Sequence, residues 1–425
     1  MNRYSSYKDS GVSWIGEIPS HWNVIKLNHI FYHNTGKTLN SNLKGNNHPY
    51  LTTSNVYNGY FDLSILKEMP FLDDEIERYS VTAGDLLVCE GGDIGRCNIW
   101  KENYSICYQN HLHRLRAKID IKVEYYSFLI NHIKSLGIFD NMGKGIAIKG
   151  LSAATLGNTR LLLPPLAEQE KIVSYLENKT SKIDAYVADK EKEIELLQEL
   201  KQKTIADAVT KGLNPDTKMK DSGISWIGEI PGHWEVKRIA SLFTGKVQAN
   251  TDFKYHHAFK FYYGTLVPKN EVGDNEEYRD TYVKYSVLQK DDIMINGLNL
   301  NYDFVSQRVA IAPSDGIITS AYVVARPRKG TNALYYNYLF KTMDNMKLFH
   351  GMGTGIRLTL SFDEMKKQVV VVPPQDEQQA IVAYIEEKCE KIDKLASELQ
   401  SEIDYLKEYK QRLIADCVTG QVKVS

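Results

Sequence analysis

The chain has 425 residues, room for about two to four domains. Its 43% hydrophobic and 25% charged residues are the balance of a soluble protein with packed cores. Its net charge of −1, taken alone, argues against a nucleic-acid binder. No apolar run approaches the ~20 residues of a bilayer span, and the first residues lack the apolar stretch of a signal peptide. Cys89, Cys97, Cys107, Cys389 and Cys417 form no CxxC pair and no metal-ligand spacing, so a cytoplasmic, reduced location is expected.

In chain order, a Trp-rich box over 8–22 comes first, then a mixed, β-rich segment over 23–163. Within that segment 85–89 has strand character and 125–135 has helical spacing. Pro164-Pro165 stops the last strand and opens a long helical block. The box returns over 220–234 and a second mixed segment covers 235–372, with a strand at 307–311 and helical spacing over 335–348. Pro373-Pro374 opens a second long helix.

The organising feature is an internal duplication. Lys8-Asp9-Ser10-Gly11-Val12-Ser13-Trp14-Ile15-Gly16-Glu17-Ile18-Pro19-Ser20-His21-Trp22 returns 212 positions later as Lys220-Asp221-Ser222-Gly223-Ile224-Ser225-Trp226-Ile227-Gly228-Glu229-Ile230-Pro231-Gly232-His233-Trp234, identical at 13 of 15 positions. Pro164-Pro165 with Glu168-Gln169 recurs as Pro373-Pro374 with Glu377-Gln378. Lys182-Ile183-Asp184 and Ile205-Ala206-Asp207 recur as Lys391-Ile392-Asp393 and Ile414-Ala415-Asp416. The segments between these blocks share few side chains. Two copies of ~210 residues are too few and too long for a solenoid, so one half has been duplicated into a pseudo-twofold molecule.

In the second helix Ile385, Ile392, Leu399, Leu406 and Leu413 fall seven apart, with Leu395 and Tyr409 assigned to the partner seam positions. The first helix places Leu176, Ile183, Lys190, Leu197 and Thr204 on the same register, beside Val187, Ile194 and Leu200. This is a coiled-coil pattern about five heptads long. Some 40 helical residues make a rod of roughly 60 Å. The expected fold is therefore α+β: two mixed β-rich domains separated by two long helices packed as an antiparallel coiled coil. The boundaries read 1–163, 164–212, 213–372 and 373–425. The alternative is a pair of surface helices, each lying on its own domain.

Charge is segregated. Residues 23–163 hold 15 Lys and Arg against 13 Asp and Glu, and 235–372 hold 18 against 14. The helical blocks are acidic, 8 against 10 over 164–211 and 6 against 11 over 373–421. Lys134, Lys144, Lys149 and Arg160 form one basic group, and Arg96, Lys101, Arg114, Arg116 and Lys118 another. Either suits phosphate contact or a solvated face.

No catalytic pattern stands out. There is no GxxxxGK[ST] loop, and neither Pro-Pro pair has the flanking residues of an adenine methyltransferase loop. Gly91-Gly92-Asp93-Ile94-Gly95-Arg96 does not fit GxGxxG and reads as a loop facing a phosphate or base, or as a plain hairpin turn. His21 and His233 read as structural, because no carboxylate or cysteine recurs at metal spacing. No metal or cofactor is expected to be bound by this chain.

A duplicated chain in which dissimilar basic domains alternate with coiled-coil helices resembles the specificity subunits of Type I restriction–modification systems. The carriers are the two Trp boxes, the Pro-Pro…Glu-Gln helix starts and the Ile-Ala-Asp helix ends. Met142-Gly143-Lys144-Gly145-Ile146 and Met352-Gly353-Thr354-Gly355-Ile356, near each domain's end, complete the pattern. The resemblance implies that 23–163 and 235–372 are target recognition domains, each reading half of a bipartite DNA sequence, with the coiled coil as a ruler between half-sites. It implies a non-catalytic subunit partnered by two methyltransferase subunits and by restriction/translocase subunits, to which S-adenosylmethionine, ATP and Mg belong. The second domain departs from the first, since Asp291-Asp292-Ile293-Met294-Ile295-Asn296-Gly297 lacks the Gly-Gly-Asp-Ile-Gly-Arg run.

Base reading calls for polar side chains on loops. The candidates in the first domain are Ser54, Asn55, Arg96, Gln109, Asn110, His111, Lys144 and Lys149. In the second they are Tyr262, Tyr263, Asn299, Asn301, Arg308, Ser320, Tyr322, Thr354 and Arg357. Two other classes stay open: a self-sufficient DNA enzyme, which would modify or cut DNA unaided, and a coiled-coil scaffold, which would not bind duplex DNA even when partnered.

Overall fold

A computed structural model describes residues 3–39, 45–142, 150–269, 276–302 and 307–424. The chain forms two compact units, Met1–Lys190 with Ser401–Ser425, and Glu191–Gln400. Each contains one recognition domain, the first part of one long helix and the last part of the other. The long helices run Leu166–Lys211 and Gln375–Val418. Both start directly after their Pro-Pro pair, where a strand (Arg160–Leu163 or Val369–Val372) has just ended.

Within the first unit the two helical segments are antiparallel. Asp184 pairs with Lys410 at 2.6 Å and Lys190 with Glu402 at 4.0 Å, so one number rises as the other falls. In the second unit Lys201 holds Asp393 at 2.7 Å, and Ile205, Ala208 and Val209 pack in one core with Ile381, Val382 and Ile385. The seam differs in detail from the sequence expectation. Leu200, Leu395 and Tyr409 are exposed by 51%, 41% and 41%. The second seam position lies four residues after the first, not three, and is filled by Thr180, Val187 and Ile194, then by Lys201 and Ala208. In the partner helix it is Cys389, Ala396, Ile403, Lys410 and Cys417. Val187 and Ile194 stand where the sequence placed them, whereas Leu200, Leu395 and Tyr409 do not, because Thr180, Lys201, Cys389, Ala396 and Lys410 interrupt the apolar stripe.

The recognition domains fold alike although their sequences diverge. The first has a four-stranded sheet ordered Phe31–Thr35, Leu112–Ala117, Leu86–Cys89, Cys97–Ile99. The second repeats it with Phe243–Thr244, Val323–Pro327, Ile293–Ile295 and Val309–Ile311. A helix backs each sheet, Val123–Ser135 and Ala333–Asn345. The second helix stops short of the predicted 348 because Lys347 takes a left-handed φ of 58°, which breaks the helical run. A smaller β layer carries the loops. In the first domain it is four strands, with Ile106–Tyr108 parallel to Asn46–Leu51.

The duplicated blocks recur because they hold each other. Trp22 is fully buried and donates from Nε1 to Glu168 Oε2 at 3.0 Å. His21 Nε2 lies 2.6 Å from Glu168 Oε1, and Tyr4 donates its hydroxyl to Oε2 at 2.7 Å. In the second unit Trp234 and His233 meet Glu377 at 2.9 and 2.5 Å. Burial works against the Glu168 charge, but hydrogen bonds from Trp22, Tyr4 and His21 outweigh it and hold the carboxyl below its usual range. The far side of each tryptophan meets the end of the other long helix. Gly420, at φ 73°, leaves no room for a Cβ, which would fall 2.5 Å from Pro19; Gly212, at φ 75°, lies against Trp234. Each box is thus clamped between the start of one helix and the end of the other. The adjacent glutamines tie back to the proline carbonyls, Gln169 to Pro164 and Gln378 to Pro373, each at 2.8 Å. The histidines of the boxes each pair with the clamp glutamate.

Removing the clamp carboxylate should be costly. Glu168→Ala strands the buried Trp22 N–H and should cost the first unit about 2 kcal/mol, with Glu168→Gln intermediate because it keeps one acceptor. Denaturant unfolding of the purified variants reads this; an Ala variant as stable as the parent would show that the clamp is ornamental.

Candidate nucleic-acid interface

A second repeated device sits in the variable sheets. Asp85 is 2% exposed and accepts from Thr82 N at 2.8 Å, from Arg116 Nε at 2.7 Å and from Arg116 Nη2 at 2.6 Å. Asp292, fully buried, accepts from Gln289 N at 2.8 Å and from Arg326 Nε and Nη2 at 3.0 and 2.7 Å. These bidentate pairs fix the turn before the central strand in each domain. They also remove Arg116 from the basic group of the first domain. Arg114 is buried and donates to the Ser80 carbonyl, Lys118 donates to the Asn28 carbonyl at 2.6 Å, and Lys134 pairs with Asp93 at 2.9 Å. Much of that positive charge therefore holds the fold.

The loop after the central strand begins and ends on the same backbone bond in both domains, Cys89 N to Arg96 O at 2.8 Å and Asn296 N to Arg308 O at 2.9 Å. Arg96 and Arg308 are thus equivalent positions, separated by a longer loop in the second domain, and this is where the departure noted in the sequence lies. Both arginines are held by carbonyls. Arg96 donates to Thr53 O at 2.5 Å and lies over the Tyr57 ring at 5.0 Å. Arg308 donates to Asn296 O at 2.9 Å, Leu298 O at 2.7 Å and Asn299 O at 3.3 Å.

Around Arg96 the candidate loops of the first domain converge. Gln109 N donates to Leu51 O at 2.9 Å, Glu90 N to His111 O at 2.9 Å, and Leu151 N to Glu90 O at 2.8 Å. Ser54 and His111 are exposed, Gln109 and Asn110 half-buried, and Asn55 buried. Asn55 spends both ends of its amide on Thr52, Asp62 and Ile65, which shapes the loop on which Ser54 stands. Lys144 and Lys149 lie outside the described residues. His113 Nε2 lies 2.7 Å from Leu151 O and must donate to it, so its Nδ1 accepts from His33 Nε2 at 3.0 Å. Burial and the neighbouring His113 push His33 down to about 4, keeping it neutral at neutral pH.

The second domain gathers its candidates in the same way. Tyr262 and Tyr263 stand 60% and 63% exposed at a hairpin tip. Positive φ at both Tyr263 and Gly264 gives the two-residue turn that suits strand twist. That tip lies beside Gln307 and Val309. Asn299 and Asn301 are exposed on the loop that Arg308 secures, and Leu300 N donates to Leu358 O at 3.1 Å, bringing in the loop of Thr354 and Arg357, both exposed. Ser320 is exposed, while Tyr322 is half-buried with its ring 6.2 Å from Phe261. Gln109 to His111 in one domain and Ser320 to Tyr322 in the other fall on the same strand–strand connection.

Three exposed side chains were not among the sequence candidates. Tyr60 is 57% exposed and stacks flat on Tyr57 at 4.8 Å and 1°, and Arg96 lies 5.0 Å from the centroid of the Tyr57 ring. Tyr302 is 69% exposed and Ile356 98% exposed. The Asn58-Gly59 turn between the paired tyrosines was the available signal for the first.

A profile of the Type I restriction modification DNA specificity domain matches residues 19–196 and again residues 231–405. The chain belongs to the Type I restriction–modification DNA specificity family. Each match opens at the proline of one Trp box and runs through a recognition domain into a long helix. The Type I restriction enzyme MjaVIII specificity subunit of Methanocaldococcus jannaschii is 23% identical, over 96% of this chain and 94% of its own. The EcoBI specificity subunit of Escherichia coli is also 23% identical, over 81% and 75%. The HsdS subunit from Thermoanaerobacter tengcongensis has a similar fold, with a TM-score of 0.54 at 16% identity over 95% of this chain and 98% of that one. A chain from a type I restriction–modification assembly superposes better, with a TM-score of 0.72 at 14% identity, over 95% and 99%. As a family member this chain is a DNA specificity subunit with two repeated recognition domains. No helix among the described residues is long and apolar enough to cross a membrane.

Proposed function

We propose that each unit presents its rim of loops to one half of a split duplex site, and that this chain directs the chemistry of partners without performing any itself. The observation that carries the reading is the contrast between parts. The clamp of Trp, His and Glu is reproduced in both units, whereas the loops over the equivalent sheets differ in length and, Arg96 and Arg308 apart, in their candidate reading residues. Two copies of one frame holding two different rims suit two different half-sites. Exposed Asn, Ser, Thr and Arg side chains on those rims are the donors and acceptors that base edges require, and the net positive charge of the recognition domains favours the phosphate backbone.

The partners that fit are two methyltransferase subunits and the restriction/translocase subunits, with S-adenosylmethionine, ATP and Mg bound by them. The buried thiols offer no nucleophile: burial pushes Cys89 up to about 11 and Cys97 to about 12. Mapping methylated adenines in a genome that expresses this chain with its methyltransferase should reveal a split motif. The purified chain, given S-adenosylmethionine and DNA without a partner, should transfer no methyl groups. Methyl transfer by the chain alone would overturn the assignment.

A further inference from the structure

We propose that Ile356 is a wedge that enters the base stack of the half-site read by the second domain, resting on the reading of that domain as a DNA-binding unit. Ile356 is 98% exposed, so its side chain contributes nothing to the fold, yet its backbone is firmly placed. Thr354 and Thr359 exchange both backbone bonds, at 3.1 and 3.0 Å, and Leu358 N donates to Gly355 O at 3.1 Å. Ile356 and Arg357 are therefore the two corner residues of a closed turn. Beneath the turn, Leu300 N bonds Leu358 O at 3.1 Å and Leu360 N bonds Gly297 O at 2.9 Å. Leu358 packs against the domain core at φ 42°, a backbone conformation that a leucine keeps only where its surroundings impose it.

The occupant follows from what surrounds the tip. Arg357 is next to it, and the exposed Asn299, Asn301 and Tyr302 stand on the loop bonded to its base. A cation and amides flanking one apolar point suit a phosphate, base edges and an opened base step. Apolar wedges of this kind partly unstack a step and kink the duplex. The sequence adds an independent argument. The recognition domains share few side chains, yet Gly353-Thr354-Gly355-Ile356 has its counterpart in Gly143-Lys144-Gly145-Ile146. A residue common to domains that read different bases serves a step independent of sequence, and opening the duplex is such a step.

The test uses the full chain assembled with its methyltransferase subunits on the split target found by methylation mapping. 2-Aminopurine is scanned through each half-site, leaving the methylated adenine in place, and its fluorescence reports unstacking. The wild-type complex should show an unstacked step in the second domain's half-site. Ile356→Ala should lose that signal and bind on the order of tenfold more weakly, with the mapped sequence unchanged and the other half-site unaffected. Ile356→Leu should retain the signal. The exposed position keeps all variants folded. An Ala complex with unaltered fluorescence and affinity overturns the proposal, as does a wild-type complex with no unstacked step. So does an Ala variant that loses its protein partners without changing the DNA signal, since that marks a protein contact. A wild-type complex that binds no split site would refute the DNA reading itself and the wedge with it.

Discussion

Asp292→Ala is expected to destabilise the second unit by about 3–5 kcal/mol, the range for breaking a buried ion pair from one side. The carboxylate is fully buried and takes four hydrogen bonds, three from the Arg326 guanidinium and one from the Gln289 backbone. Its loss leaves a largely buried cation, whose Nη2 keeps the Val287 carbonyl at 3.0 Å, and strands the Gln289 N–H in the turn before the central strand. A loss of this size approaches the whole stability of an ordinary domain. Asp363→Ala is the control: that carboxylate is 75% exposed and pairs with Lys366 three residues on, so its removal should leave stability close to that of the parent. Urea denaturation of both variants decides the matter. If Asp292→Ala unfolds within 1 kcal/mol of the parent, the pair does not organise this turn.

That pair also shows what the sequence conceals. Asp85 with Arg116 and Asp292 with Arg326 are the same device, but their partners lie 31 and 34 residues away. The unequal insertions between them erase any fixed spacing. By contrast the Trp boxes, the Pro-Pro helix starts and the heptads were legible, because they are local patterns that recur in the same order in both halves. The sequence did not show that box and helix start are bonded to each other through Glu168 and Glu377, since the contact spans about 145 residues. The candidate loops were found by residue type alone. Whether a polar side chain is spent on the fold, as in Asn55 and Arg308, or stands exposed, as in Ser54 and Asn301, depends on tertiary hydrogen bonds that no local pattern encodes. Ile356 was named only as part of the motif over 352–356 and not as a candidate, because base reading was sought among polar side chains.

Exchanging residues 23–163 for the matching segment of a family relative should replace one half of the target and leave the other intact. The strand pairing at the two ends of the segment is the reason for choosing these limits. Asn23–Lys26 pairs antiparallel with Arg160–Leu163, so the two ends of the segment are neighbouring strands that move together and close the domain on itself. The cut falls just after Trp22 and just before Pro164, outside the pairing and beside the clamp, which stays whole. One contact that crosses the cut is reproduced by the second domain. Tyr125 donates its hydroxyl to Val418 O at 2.8 Å, and Tyr335 does the same to Val209 O at 2.7 Å. A donor domain carrying that tyrosine should therefore seat on the same helix end. The Asp85–Arg116 pair and the converging loops travel inside the segment, so the incoming domain brings its own rim already organised. Methylation mapping of the hybrid with its methyltransferase should give a split motif with one new half and one original half. A motif changed in both halves would mean that each domain's reading depends on the other, and that the duplicated frame does not insulate them.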